Sequence, residues 1–256
     1  TSLILIASIL GILKLEVENS FINYFDKETE IYKGMKKIDD DLGGTTPLNV
    51  ILKFPEIAQD KIDDDFSEWE EDSTNKDEEK SKYWFTRDKM DKILNVHDYL
   101  DSLPEIGKVL SFGSILRVAE DLNKKELQSL EIAVLYSKIP AEIKKEIISP
   151  YISVEKDEAR ISVRIKDSKE NLRRNDLIEK IQNDLNTKLG FNKDEYKLAG
   201  VLILFNNLLQ SLFKSQILTL GIVMLGIFVM FFILFRNLTL SIIGVVPNFI
   251  AAFFIL

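Results

Sequence analysis

Ile217–Phe235 reads ILTLGIVMLGIFVMFFILF, 19 residues without a formal charge. After Arg236 and Asn237 a second uncharged run, Leu238–Leu256 (LTLSIIGVVPNFIAAFFIL), covers another 19. A hydrocarbon core about 30 Å thick needs roughly 20 apolar residues in helical form. Both runs are therefore expected to be transmembrane helices, the second cut short by the end of the chain. Two such runs separated by only two polar residues fit a membrane hairpin better than a soluble core.

At the other end, Leu3–Leu13 (LILIASILGIL) is about half a span, followed by Lys14 and Glu16. With no initiator Met and no basic flank before it, residues 1–13 read as the tail of a transmembrane helix rather than a signal peptide. Both ends then look truncated, and the chain reads as a piece of a longer protein. All 41 acidic residues and 32 of the 33 basic ones fall between Lys14 and Lys214. A hydropathy average of zero thus conceals a charged middle and nearly uncharged ends. The acidic balance argues against a nucleic-acid partner, which requires a basic footprint. With no cysteine, disulfides, thiolate metal sites and a cysteine nucleophile are excluded. Arg236 in the short loop between the last two runs places that loop in the cytoplasm by the positive-inside rule. Residues 14–214 are then extracytoplasmic, in a multi-pass protein of the cell (inner) membrane.

Within the middle, residues 14–201 read as one α+β domain. Asp26–Leu42 repeats Ile31, Met35, Ile38 and Leu42 at helical spacing, with Gly43–Gly44 as its stop. Leu48, Val50 and Leu52 alternate as a strand, as do Ile161, Val163 and Ile165. Tyr151–Val154 reads as a hairpin partner of the latter. Helices are expected over 88–103 (capped by Thr86), 114–122, 124–148 with an interruption near Pro140, and 171–189. Further strands are expected over 106–112 and 196–201. The order contains strand–helix–strand twice, which predicts an α+β fold built of two split β-α-β, ferredoxin-like units. Asp60–Lys82 carries eleven acidic and four basic residues and lacks the ligand pattern of a calcium loop. It reads as a solvated insertion (60–82), with Trp69 and Trp84 at its edges tucked against the domain.

Little chemistry is on offer. His97 is the only histidine and is expected to face solvent mid-helix. Gly43–Gly44 before Thr45–Thr46 follows a helix and precedes a strand, the reverse of a phosphate loop. The Asp39–Asp41 and Asp63–Asp65 runs point carboxylates in different directions. No catalytic, metal or cofactor site is assigned. Gly244, Pro247 and Asn248 stand out inside the last apolar run, as a packing kink or as a hinge with an intramembrane polar contact. Residues 202–216 form an amphipathic connecting helix, read either as an interfacial rest or as a coupling lever. Leu202, Leu204, Phe205, Leu208, Leu209, Leu212 and Phe213 cover its apolar face, and Asn206, Asn207, Gln210 and Ser211 the other. Phe205, Leu209, Gln210 and Phe213 are the candidate residues of the coupling helix.

Three stretches carry a resemblance. Asn19–Val50 (NSFINYFDKETEIYKGMKKIDDDLGGTTPLNV) resembles the segment after the first helix of a half in RND-superfamily exporters of the MMPL type, relatives of the sterol-sensing proteins. His97–Phe112 (HDYLDSLPEIGKVLSF) is similar to the family's next helix and strand. Leu198–Leu256 is similar to its porter-to-membrane junction, with Phe-Arg between spans and a Pro-Asn helix after it. The resemblance implies export of a lipid or hydrophobic substrate, driven by proton or sodium flux. It also implies an external porter domain between the first and second helices of a half, partnered by the other half of the same transporter and by homo-oligomers. The ion-relay acids would lie beyond Leu256. Two rivals are weighed: the permease of an ABC-type export or lipoprotein-release system, and a membrane sensor with a ligand-binding ectodomain. The first would need a long cytoplasmic coupling segment, for which residues 235–238 leave no room.

Overall fold

The computed structural model describes residues 22, 25–55, 84–169 and 172–255. The expectations for Leu3–Leu13, for the insertion 60–82 and for Trp69 lie outside the described residues. The chain divides into two compact units, one of them Ser20–Leu204 and the other containing Phe205–Leu256.

The first unit is mixed helix and antiparallel sheet. Helix α1 (Glu30–Asp41) precedes strand β1 (Thr46–Lys53). Helix α2 (Arg87–Asp101), strand β2 (Ile106–Leu110), helix α3 (Phe112–Asn123) and helix α4 (Ser129–Lys138) follow. One turn at Ala141–Ile143 passes into a π-helical stretch, Lys144–Ile148, then strands β3 (Ile152–Ser153) and β4 (Glu158–Ile165). Helix α5 (Arg174–Thr187) and strand β5 (Tyr196–Ala199) complete the sheet. The strand order is β2-β4-β1-β5, and β3 pairs with β4 as the expected hairpin. Each sequence-read β-α-β unit is split by a strand of the other: β4 lies between β1 and β2, and β1 between β4 and β5. The two units therefore share a single sheet.

Period-two burial fixes the register. Leu48, Val50 and Leu52 on β1 and Ala159, Ile161, Val163 and Ile165 on β4 are all buried, with Val50 opposite Ile161 and Leu48 opposite Val163. A slip by one residue would turn these side chains to the other face of the sheet, losing about 1.5–3 kcal/mol for each large one exposed. Met90, Ile93, Val96 and Leu100 of α2 and Leu177, Ile178, Ile181 and Leu185 of α5 belong to the same core. Thr86 caps α2 by accepting from the Lys89 N–H, as its sequence position suggests. Between α2 and α5, the Tyr99 hydroxyl donates to Asp184 Oδ2 at 2.8 Å, and Lys188 Nζ donates to the same oxygen at 3.0 Å. Burial and the Asp184 bond push the Tyr99 hydroxyl well above its ordinary range. The bonds from Tyr99 and Lys188 hold Asp184 below its own.

In α1, Ile31, Ile38 and Leu42 are exposed, and Asp39 is the buried residue of the helix. Hydrogen bonds hold α1 in place of apolar packing. Asp39 Oδ1 accepts from the Thr45 N–H (2.8 Å), the Thr45 hydroxyl (2.8 Å) and the Asp167 N–H (2.9 Å). Its Oδ2 accepts from the Ser168 N–H (2.8 Å) and hydroxyl (2.6 Å). Burial pushes the Asp39 carboxyl up, but these bonds outweigh it and leave it below the ordinary carboxylate range. The turn after α1 admits only glycine at Gly44, whose φ is +115° and where a Cβ would stand 2.4 Å from the Ile165 carbonyl oxygen.

His97, expected in solvent, is buried, and its Nδ1 lies 2.8 Å from the Ser111 hydroxyl. Burial, then the Arg117 guanidinium, pushes its pKa down. Trp84 is buried as expected, edge-on to Phe54 and Phe85. Its ring and that of Phe54 flank the buried Lys89 ammonium, 4.9 and 5.4 Å from the two centroids and 3.5 Å from Asp157.

Candidate functional site

The residues singled out by sequence lie on two apolar helices, α6 (Val201–Phe235) and α7 (Leu238–Ile255). The way α6 starts is set by Gly200. Its φ is +121°, and a Cβ there would stand 2.9 Å from the Pro47 carbonyl oxygen, so β5 ends against β1 and turns directly into helix. Val201, expected to close the strand, opens the helix. In the first turn, Leu202 is wholly buried in the α+β core and the Leu204 N–H donates to the Gly200 carbonyl at 3.1 Å.

From there α6 runs 35 residues without a break, about 52 Å at 1.5 Å per residue. The expected connecting helix (202–216) and span (217–235) are parts of this one helix. Lys214-Ser215-Gln216 contains neither Gly nor Pro to interrupt the hydrogen-bond ladder. The uncharged stretch Ser215–Phe235, bracketed by Lys214 and Arg236, has 21 residues, about 31 Å of helix. α6 is the one helix among the described residues long and apolar enough to cross a membrane, while Leu238–Ala252 in α7 is a shorter apolar helix. One helix of spanning length is shown among the described residues, and the expected span at Leu3–Leu13 lies outside them.

Of the apolar face read over 202–216, Leu204, Leu208 and Leu212 are exposed, and of the polar face Asn206 is buried. Phe205, Leu209 and Phe213 are half-buried and Gln210 is exposed. The exposed leucines continue into Leu218, Ile222, Leu225, Val229 and Ile233 farther along the helix.

Arg236 and Asn237 make the turn between the helices. Arg236 has φ +48°, and its N–H donates to the Phe232 carbonyl at 2.9 Å. Asn237 Oδ1 accepts from the Thr239 N–H at 3.0 Å, capping α7. The Ser241 side chain, fully buried, is satisfied by donating to the Asn237 carbonyl at 2.8 Å. Of the three residues singled out on α7, Gly244 lies closely against α6: a Cβ there would stand 3.2 Å from the Phe231 ring. Pro247 is exposed and lies inside the helix, leaving the Ile243 carbonyl without its usual donor. Asn248 is half-buried. Gly244→Leu is expected to destabilise the detergent-solubilised chain by about 1–3 kcal/mol through overpacking on Phe231. Gly244→Ala, needing a shift of a few tenths of an ångström, should cost far less; thermal unfolding of the two variants checks the order.

Elsewhere the geometry offers little reactive chemistry. Among the described residues no group of three His, Asp or Glu side chains could hold a metal. The His97–Ser111 pair has the distance of a nucleophile and base. However, Ser111 Oγ also accepts from the Gly113 N–H at 3.0 Å, capping α3, and both residues are buried. A capping hydroxyl inside a core has no approach for a substrate. No family model matches the chain, and no curated protein matches it.

Proposed function

We infer that this chain is the membrane-anchored α+β portion of an ion-gradient-driven exporter of the RND/MMPL type, moving lipid or other hydrophobic molecules. In this reading residues 14–214 are the extracytoplasmic porter domain, and α6 and α7 are successive transmembrane helices joined in the cytoplasm at Arg236. The observation that carries it is the run of α6. Its first turn belongs to the core of a two-fold split β-α-β domain, and its last 21 residues are uncharged and of bilayer length. In this reading α6 transmits motion of the span to the sheet.

The test uses cells that make the whole protein, labelled with radioactive acetate, with labelled lipid measured in the medium. Release that requires the protein and stops when an uncoupler collapses the ion gradient, with ATP held constant, is the expected result. Release that persists under the uncoupler and follows ATP would instead identify an ATP-driven permease. No protein-dependent release would leave the sensor reading.

A further inference from the structure

α2 and α3 meet along one turn of α2, where Leu94, His97 and Asp98 share a face. Gly113 gives the close approach: a Cβ there would stand 3.1 Å from Leu94 Cδ2. Asp98 accepts from the Arg117 guanidinium. Beside these contacts His97 Nδ1 lies 2.8 Å from Ser111 Oγ, and that oxygen accepts from the Gly113 N–H at 3.0 Å to cap α3. Among the described residues Nδ1 is the one acceptor within reach of the Ser111 hydroxyl. Ser111 therefore donates to it, and the neutral imidazole carries its proton on Nε2. The far end of α3 is tied separately, by Arg87 Nη1 donating to Glu120 at 2.5 Å.

We propose that this contact is an acid-sensitive switch: a proton taken up at His97 Nδ1 unseats the first turn of α3 from α2. With Nε2 already protonated, Nδ1 is the ring atom that takes the next proton. The Ser111 hydroxyl then faces a donor, and its own hydrogen loses its acceptor. Burial opposes the imidazolium, and so does the Arg117 guanidinium from α3. Asp98 and Asp101 on its own helix favour it but do not outweigh them, which leaves the histidine below its ordinary value of 6.5. The seat is complete above that pH and is lost as pH falls through the native value. Asp39, held below 3.8, acts in a lower window. The switch is independent of whether the chain exports anything.

Amide exchange of the whole chain in detergent is followed from about pH 7.5 to about pH 4.5 and corrected for intrinsic rates. Protection in the first turn of α3 should fall by about tenfold or more, while α5 and β1 keep theirs. His97 is the only histidine, so one imidazole Cε1–H resonance reports its titration. Its midpoint should lie below 6.5 and coincide with the loss in α3. In His97→Asn the side-chain oxygen accepts from Ser111 in place of Nδ1 and takes no proton, so α3 should stay protected throughout. Where that variant fails to fold, the two midpoints of the parent decide. The proposal is overturned if the imidazole titrates while α3 keeps its protection, or if it titrates at or above 6.5. It is also overturned if the imidazole stays neutral until the whole unit unfolds, or if His97→Asn loses α3 at the parent's midpoint.

Discussion

Asp39→Ala is expected to lower the stability of the α+β unit by about 3–5 kcal/mol, against a total of about 5–15 for a typical domain. The substitution removes the acceptor of five hydrogen bonds and leaves the Thr45, Asp167 and Ser168 N–H groups without their partner. Its effect should spread through Asp167, whose own carboxylate accepts from Arg174 inside the core and from the Ile22 N–H at 3.3 Å. Asp41→Ala, two residues on and exposed, should change stability by less than about 0.5 kcal/mol. Urea unfolding of the solubilised chain, followed by tryptophan fluorescence, compares them. The carboxyl is held below its ordinary value of 3.8, so its contribution is complete above that pH and is lost as pH falls through the native value. The variant should therefore be less acid-sensitive below pH 3.8 than the parent. An Asp39→Ala chain as stable as the parent would mean that α1 is held by something other than this clasp.

The strands were legible because one-sided burial gives a period of two. Leu48, Val50 and Leu52, and Ile161, Val163 and Ile165, point inward in the structure as the alternation predicts. Thr86 was legible because caps are local. Asp39 was not, because its partners Asp167 and Ser168 lie almost 130 residues away, and no window of sequence contains both ends of the clasp. His97 reads as a surface residue between Val96 and Asp98 until the fold brings Ser111 beside it. On α1 the spacing marks which residues share a face but not whether anything covers it. On α7, Gly244 was picked out beside Pro247 and Asn248. Only the contact with Phe231 distinguishes a packing glycine from its neighbours.

Insertion of two glycines after Gln210 is expected to abolish export by the whole protein while leaving its amount and its membrane insertion unchanged. Gln210 is exposed, ten residues into the unbroken helix and ahead of the 21-residue uncharged stretch. Two extra residues rotate the helix beyond them by about 200° relative to the part before, and glycines weaken the ladder by about 1 kcal/mol each. Neither change touches the buried Leu202 or the packing at Gly244. Insertion of Ala-Ala at the same place keeps the helix stiff and changes only the rotation. If the lever requires stiffness alone, Ala-Ala should retain part of the efflux and Gly-Gly none. Full efflux with Gly-Gly would reduce residues 205–214 to a passive connector.

The proposed export function depends on the two ends of α6 lying on opposite sides of a membrane. With no native cysteine, Lys193→Cys and Asn237→Cys each create a single thiol, one in the exposed loop after α5 and one in the turn between α6 and α7. Intact cells are treated with an impermeant maleimide, with and without permeabilisation. The account predicts labelling at position 193 in intact cells and at position 237 only after permeabilisation. Equal labelling of both in intact cells, or labelling of 237 alone, would contradict it.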